Sequence, residues 1–120
     1  MVLDTAAIQI LFEYTCDDDL ALFNELVDDY LGDSSHLLVE LASASEHKDF
    51  PVLHRIAHTL KGQSATFGAE TFAEICLKIE QIAKAGTLEG IDRLIDDLNS
   101  EYGDVKTTLL AEIQHLGSSH

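Results

Sequence analysis

The chain has 120 residues, of which 22 are Asp or Glu and seven are Lys or Arg, giving a formal net charge of −15. The length fits one small domain with its own core, while the charge argues against nucleic acid and against an anionic membrane surface, both of which attract Lys and Arg. Because 46% of the residues are apolar and are interspersed with the acids, a disordered chain is not expected and an acidic globular domain is.

The negative charge is unevenly distributed along the chain. Residues 1–48 contain eleven acidic residues and one Lys, a net charge of −10, and residues 86–120 contain seven acidic and two basic residues, a net of −5. Residues 49–85 are neutral, with four of each. A neutral stretch in an acidic protein can mark where an anion or an acidic partner approaches, although chance is the alternative.

Helical spacing of apolar residues begins near the N-terminus. Asp4 is a plausible N-cap for a helix over 4–14, which places Ile8, Leu11 and Phe12 on one face. A second helix is predicted over 18–46, after three consecutive Asp residues that suit the positive end of its dipole. The segment 32–35 contains poor helix formers, so two helices could meet there, but the apolar spacing stays in phase and favours one.

Three further helices follow. Asp49 as N-cap and Pro51 in the first turn predict a helix over 49–67 that ends at Gly68. The next helix is predicted over 69–85 and closes at Gly86, and the last over 87–115. Long amphipathic helices with short connections predict an all-α fold, an antiparallel four-helix bundle with an additional N-terminal helix.

The same pattern predicts the domain organisation. Residues 1–16 form the N-terminal helix, residues 17–116 form one bundle domain, and residues 117–120 (GSSH) match a remnant of an expression tag. Cys16 and Cys76 are too few for a disulfide framework or a CxxC metal site. Since no signal peptide and no apolar run of about 20 residues is visible, a cytoplasmic protein is expected. The start at Met1 and the end at the last helix favour a free-standing protein.

The third helix carries a polar face opposite an apolar stripe, which consists of Leu53, Ile56, Ala57, Leu60, Ser64 and Phe67. Helical spacing turns His58 toward solvent, within one turn of Arg55 and Lys61. Gly62 follows at i+4, where Gly costs about 1 kcal/mol relative to Ala and nothing in the fold requires it. Its advantage would be open space beside the imidazole. An exposed His, an open patch and a nearby cation together suit a phosphoryl group on the ring.

The fourth helix supplies a partner for this imidazole. If the third and fourth helices form a hairpin that turns at Gly68, counting residues from the turn places Glu80 level with His58. A carboxylate there could accept a hydrogen bond from Nδ1–H and leave Nε2 as the nucleophile. The count gives the height of Glu80 but not the direction in which it faces.

These residues resemble a known family. One motif lies on the third helix and its turn: AHTLKGQS over 57–64, followed by FGA over 67–69. It resembles the A-H-x-L-K-G-x-(S/A)-x-x-x-G-(A/L) motif of histidine-containing phosphotransfer (HPt) domains. The segment CLKIE over 76–80 is similar to the family's C-x-x-(L/I)-E segment. The resemblance covers about residues 20–107. Members are four-helix bundles that relay a phosphoryl group between receiver-domain aspartates, and their Glu or Gln in the second segment contacts the phospho-accepting ring.

The resemblance implies a phosphorelay intermediate of two-component signalling. His58 is the expected phospho-acceptor, Lys61 neutralises phosphoryl charge, Glu80 orients the imidazole and Gly62 leaves steric access. The expected partners are receiver domains of hybrid histidine kinases or response regulators, which would contact His54, Arg55, Ala65 and Phe67 and would supply Mg²⁺. The chain itself is expected to bind no cofactor or metal, to be monomeric, and, lacking a nucleotide-binding signature, to be a phosphocarrier without kinase activity.

Several alternatives stay open at the level of the sequence. The bundle could be an acidic adaptor or scaffold without phosphorylation, or the phospho-accepting domain of a larger histidine kinase. His54 and His58 have the i, i+4 spacing of a metal-chelating pair, although Arg55 stands where a zinc protease motif has Glu. Glu80 could pair with Lys84 on its own helix.

Overall fold

The computed structural model describes residues 3–15 and 21–119, and these residues form five α-helices. Their bounds are α1 Thr5–Thr15, α2 Ala21–Glu46, α3 Phe50–Thr66, α4 Glu70–Lys84 and α5 Ile91–Ser119. Each of the helices α2 to α5 packs against its neighbours in the chain, α2 and α5 close the bundle, and α1 lies against α2 and α3. The prediction of an all-α bundle with an additional N-terminal helix is confirmed.

Helix α1 begins where the cap residue predicted it. The Asp4 side chain accepts a hydrogen bond from the Ala6 N–H at 3.0 Å. Ile8 and Phe12 are buried in the core and Leu11 packs against it, so the predicted apolar face is the buried one. The predicted start of the second helix at residue 18, with its three Asp residues, lies outside the described residues.

Helix α2 runs without interruption through the segment of poor helix formers. The hydroxyl of Ser34 donates to the Tyr30 carbonyl one turn earlier. From α5, Tyr102 donates its hydroxyl to the Leu31 carbonyl at 2.8 Å. The tertiary contact from α5 therefore supports the backbone where helix propensity is weakest, and the prediction of one helix rather than two is correct.

Helices α3 and α4 form a tight hairpin. The side chain of Asp49 accepts the Val52 N–H at 3.3 Å and caps α3, with Pro51 in the first turn. Gly68 adopts φ +73° at the turn, a left-handed conformation that L-residues with a side chain rarely adopt. The predicted apolar stripe of α3 is buried in full: Leu53, Ile56, Ala57, Leu60, Ser64 and Phe67.

Helix α5 begins at Ile91 and not at residue 87 as the periodicity predicted. Residues 87–90 form a turn in which the Glu89 N–H donates to Thr87 Oγ1 at 3.2 Å, and Gly90 adopts φ +80°, which is incompatible with a continuous right-handed helix. Leu88 still packs against the core from this turn. The apolar spacing therefore predicted a start of the helix that is about one turn too early.

Candidate functional site

The polar face of α3 meets a single carboxylate from α4. His54, His58 and Lys61 occupy positions i, i+4 and i+7 of α3, so their side chains share one face. All three reach Glu80, whose side chain is only 13% exposed. The hairpin thus brings together His58 and Glu80, which counting from the turn had placed at the same height.

His58 is oriented by Glu80. Its Nδ1 lies 3.0 Å from Glu80 Oε1, while the side chain is 64% exposed. Because an ionised carboxylate can only accept hydrogen bonds, Nδ1 carries the proton and Nε2 of the neutral ring keeps its lone pair. The ring is therefore held in the tautomer that offers Nε2 as a nucleophile.

Lys61 binds the other oxygen of the same carboxylate. Its Nζ lies 2.8 Å from Glu80 Oε2. The hydrogen bond from Lys61 is the largest influence on the Glu80 carboxyl and lowers its pKa; burial opposes this, and the bond from His58 adds to it. Glu80 is therefore ionised at neutral pH, and its contacts lie across the hairpin to α3, not along α4 to Lys84.

Open space lies beside these groups at Gly62. A Cβ built on this residue would meet no heavy atom within 4 Å, and its φ is not in the left-handed region. The fold therefore gives neither a packing nor a backbone reason for glycine here. Ala65, one turn further along α3, is exposed on the same face.

Two of the predicted partner-contact residues, Arg55 and Phe67, differ in exposure. Arg55 is exposed on α3, one turn before His58, and its contact with a partner stays a prediction. Phe67 is 5% exposed and stacks on Tyr30 with ring centroids 4.5 Å apart. The prediction of Phe67 as a docking residue is wrong for its side chain, because the ring is already used in the core at the end of α3.

His54 is a member of the site that sequence reasoning placed only on the partner surface. Its Nε2 lies 3.4 Å from Glu80 Oε1, and its ring is parallel to that of His58, with centroids 6.3 Å apart. The i, i+4 spacing of His54 and His58 places the two rings on one face of α3 but does not reveal that both reach Glu80. Within residues 3–15 and 21–119, no group of three or more His, Cys, Asp or Glu side chains is placed to hold a metal ion.

Two structural contacts behind the site were also missed. The hydroxyls of Tyr30 and Ser64 form a buried hydrogen bond of 2.9 Å between α2 and α3. The N–H of Asp4 donates to the Gly68 carbonyl at 2.8 Å, so the start of α1 is fixed to the turn of the hairpin. Neither contact has a sequence signal beyond the polar Ser64 in an apolar stripe and the glycine at the turn.

A helical bundle with an exposed imidazole, a carboxylate on Nδ1 and a lysine one turn away defines a histidine phosphotransfer domain. The family model for the Hpt domain matches residues 25–117, so the chain belongs to this family. Such domains are phosphocarriers of two-component phosphorelays that interact with kinase and receiver partners, and they are not kinases themselves.

Individual relatives agree with this membership. The chain is 25% identical over 109 residues to "Histidine-containing phosphotransfer protein 1" of rice, an alignment that spans 89% of this chain and 72% of the rice protein. It is 26% identical over 93 residues to "Multistep phosphorelay regulator 1" of fission yeast, which spans 78% of this chain. The chain covers about a third, 32%, of that relative's length.

A solved structure extends the agreement to the fold. The crystal structure of histidine-containing phosphotransfer protein B (HptB) from Pseudomonas aeruginosa PAO1 superposes with a TM-score of 0.86 at 29% identity. The superposition covers 95% of this chain and 96% of that one, so it includes α1 as well as the four-helix bundle.

Among the residues that the structure describes, no helix is long and apolar enough to cross a membrane.

Proposed function

We propose that His58 carries a phosphoryl group on Nε2 between the aspartates of two receiver domains. The observation that supports this most strongly is the 3.0 Å hydrogen bond from His58 Nδ1 to Glu80, because it leaves the nucleophilic nitrogen free on an exposed ring. Two other histidines that the structure describes have different partners: His36 pairs through its own Nε2 with Glu40 on the same helix, and His47 Nδ1 contacts the Ser43 carbonyl oxygen.

The transfer step follows from this geometry. The Nε2 lone pair attacks the phosphorus of a receiver's aspartyl phosphate, an N–P bond forms, and the P–O bond to the aspartate breaks to leave a carboxylate. The proton on Nδ1 stays in place, so the ring becomes cationic and Glu80 stabilises the new charge. Transfer to the second receiver is the reverse reaction with a different aspartate.

Lys61 and Gly62 complete the proposed site. The ammonium of Lys61, which pairs with Glu80 in the free protein, can turn toward the phosphoryl oxygens and neutralise part of their charge. The space above Gly62 admits the receiver's acidic pocket. Mg²⁺ and the remaining catalytic groups belong to the receiver, so this chain contributes the nucleophile and its orientation.

The docking surface proposed for receivers is the exposed face of α3. It contains Arg55, His58 and Ala65, all exposed, and lies on the neutral stretch 49–85 of an otherwise acidic chain. An evenly negative surface would repel both a phosphoryl group and an acidic partner. We propose that the protein acts as a cytoplasmic monomer, since one copy of the chain contains every residue of the site.

The decisive experiment is transfer from a phosphorylated receiver domain. We expect an alkali-stable, acid-labile label on the wild-type protein and none on His58→Gln. His36→Gln, which alters an exposed histidine on α2, is the matched control and keeps the label. Label retained in His58→Gln would overturn the assignment, and receiver binding without any label on the wild-type protein would favour the adaptor function.

A further inference from the structure

Glu80 has a third basic neighbour that the proposed transfer step does not use. The Nε2 of His54 lies 3.4 Å from the same Oε1 that accepts the bond from His58. The two rings reach the carboxylate with opposite nitrogens, His58 through Nδ1 and His54 through Nε2, and their planes differ by only 4°. One oxygen therefore faces two imidazoles while the other faces Lys61.

We propose that His54 is a positioning residue that holds Glu80 in place while Lys61 is drawn away to the phosphoryl group. The inference rests on the proposed function, because it assigns Lys61 two successive positions. In the free protein Lys61 fixes Oε2, and the contact from His54 is the longer of the two histidine contacts. When Lys61 leaves, His54 is, among the residues that the structure describes, the remaining basic side chain in contact with Glu80 besides the reacting ring.

The need for such a residue follows from charge and burial. A phosphoryl group on His58 brings negative charge close to the Glu80 carboxylate, and repulsion would push that carboxylate away from Nδ1. Glu80 is 13% exposed, so little water is available to replace a lost partner. A donor on the side of Oε1 keeps the carboxylate against the ring when the ring is cationic and needs it most.

His54 is well placed for this task. It precedes His58 by one helical turn on the same rigid helix, so its distance from the reacting ring is fixed by the backbone of α3. Its side chain is 41% exposed, less than the 64% of His58. An imidazole in either protonation state can donate from Nε2, so the contact does not depend on its charge.

The first test measures the tautomer of His58 from its ring ¹⁵N chemical shifts in the unphosphorylated protein, at a pH high enough that these shifts no longer change with pH. We expect the Nδ1–H form in the wild-type protein and in the single variants His54→Ala and Lys61→Ala, since either neighbour can hold Glu80. In the double variant the Nδ1–H fraction falls toward its value in Glu80→Ala. The double variant imitates the state in which Lys61 has turned away.

The matched control combines Lys61→Ala with His36→Ala, which removes a histidine that pairs with Glu40 on α2. This combination keeps the tautomer of Lys61→Ala alone. A circular dichroism spectrum of each variant verifies that the helices are intact. If His54→Ala in the Lys61→Ala background leaves the tautomer unchanged, His54 does not position Glu80 and the inference is overturned.

The second test measures transfer from the phosphorylated protein to a receiver. His54→Ala slows transfer by roughly threefold to tenfold without changing the affinity for the receiver, since the proposed contact that holds the charged Glu80 during transfer is lost. In the Glu80→Ala background the same substitution has no further effect, because its route of action is gone. A loss that persists there, accompanied by weaker receiver binding, would assign His54 to docking instead.

The two tests separate the inference from the function on which it rests. If His58→Gln still accepts the phosphoryl group, the proposed function fails, while the tautomer measurement still reports on the contact between His54 and Glu80. If His58 is the acceptor but neither the tautomer nor the transfer rate responds to His54, only the positioning role fails.

Discussion

The Nζ of Lys61 lies 2.8 Å from Oε2 of Glu80, so the cation of the site is already paired in the unphosphorylated protein. The carboxylate is largely shielded from water, which makes this pair worth more than one on the open surface. The same contact lowers the pKa of Glu80 and keeps it ionised for His58. Glu80 therefore holds the imidazole through one carboxylate oxygen and the lysine through the other.

This pair predicts a specific acid sensitivity. The folded-state pKa of Glu80 lies below its unfolded value, about 4.3, so its contribution to the free energy of unfolding is present above that pH and is lost as the pH falls through the folded pKa. Between about pH 6 and pH 3, the wild-type protein should therefore lose more stability than Glu80→Gln. Urea unfolding at each pH measures the free energy of unfolding of the wild-type protein and of Glu80→Gln.

The comparison between variants is essential because the chain is strongly acidic. Protonation of the other carboxyl groups relieves repulsion at low pH and changes the stability of every variant alike. Glu74→Gln, which alters an exposed residue on the same helix α4, is the control and should follow the wild-type protein. Parallel pH profiles for the wild-type protein and Glu80→Gln would contradict the predicted coupling.

Gly62 is predicted to lower the stability of α3 and to leave room for the receiver beside His58. Gly62→Ala adds a methyl group that meets nothing in the free protein, so it should raise the free energy of unfolding by up to about 1 kcal/mol through helix propensity. The same methyl group enters the space that the receiver must occupy. We expect transfer to slow by roughly tenfold to a hundredfold, since a small displacement of reacting groups is costly.

Gly103→Ala is the matched control for the effects of Gly62→Ala on stability and on transfer. Gly103 lies within α5, and a Cβ there also meets nothing within 4 Å. The control should gain similar stability and keep the wild-type transfer rate. Unfolding curves and transfer kinetics on the two variants test the assignment, and equal transfer rates in both would show that Gly62 does not govern access.

Regular local patterns were sufficient to predict the part of the site that depends on helix geometry. The spacing on α3 gave the exposure of His58, and a short hairpin turn fixed the height of Glu80, because both depend only on the rise per residue. The direction of the Glu80 side chain did not follow from the count. It depends on contacts with three basic side chains of the opposite helix, two of them hydrogen bonds from His58 and Lys61.

Tertiary contacts account for the predictions that were wrong. Phe67 was predicted both as the last residue of the apolar stripe and as a docking residue, and its stacking on Tyr30 places its side chain in the core. The start of α5 was misplaced because Leu88 satisfies the apolar pattern from a turn as well as from a helix. The left-handed conformation of Gly90 decides that boundary, and a glycine alone does not reveal its φ.

Gly68 is predicted to be the most sensitive glycine in the hairpin. Its φ is +73°, and a Cβ there would lie 2.7 Å from the Asp4 carbonyl oxygen at the start of α1. Gly68→Ala should therefore combine backbone strain of about 1–2 kcal/mol with displacement of α1. Gly86→Ala is the control, because it has φ +72° and nothing within 4 Å. The difference in unfolding free energy between the variants measures the contact with α1, and equal losses would show that α1 contributes nothing there.

The buried bond between Tyr30 and Ser64 predicts a non-additive pair. Ser64→Ala leaves the Tyr30 hydroxyl in the core without this partner and should cost about 1–3 kcal/mol, while adding Tyr30→Phe should restore part of that loss. Additive losses in the double variant would mean that the two hydroxyls act independently.

Burial also predicts a loss of stability at alkaline pH. It raises the pKa of Tyr30 to about 12, so the contribution of this residue to stability is complete below about pH 10 and is lost as the pH rises toward about 12. Urea unfolding should thus show the wild-type protein losing more stability than Tyr30→Phe above about pH 10.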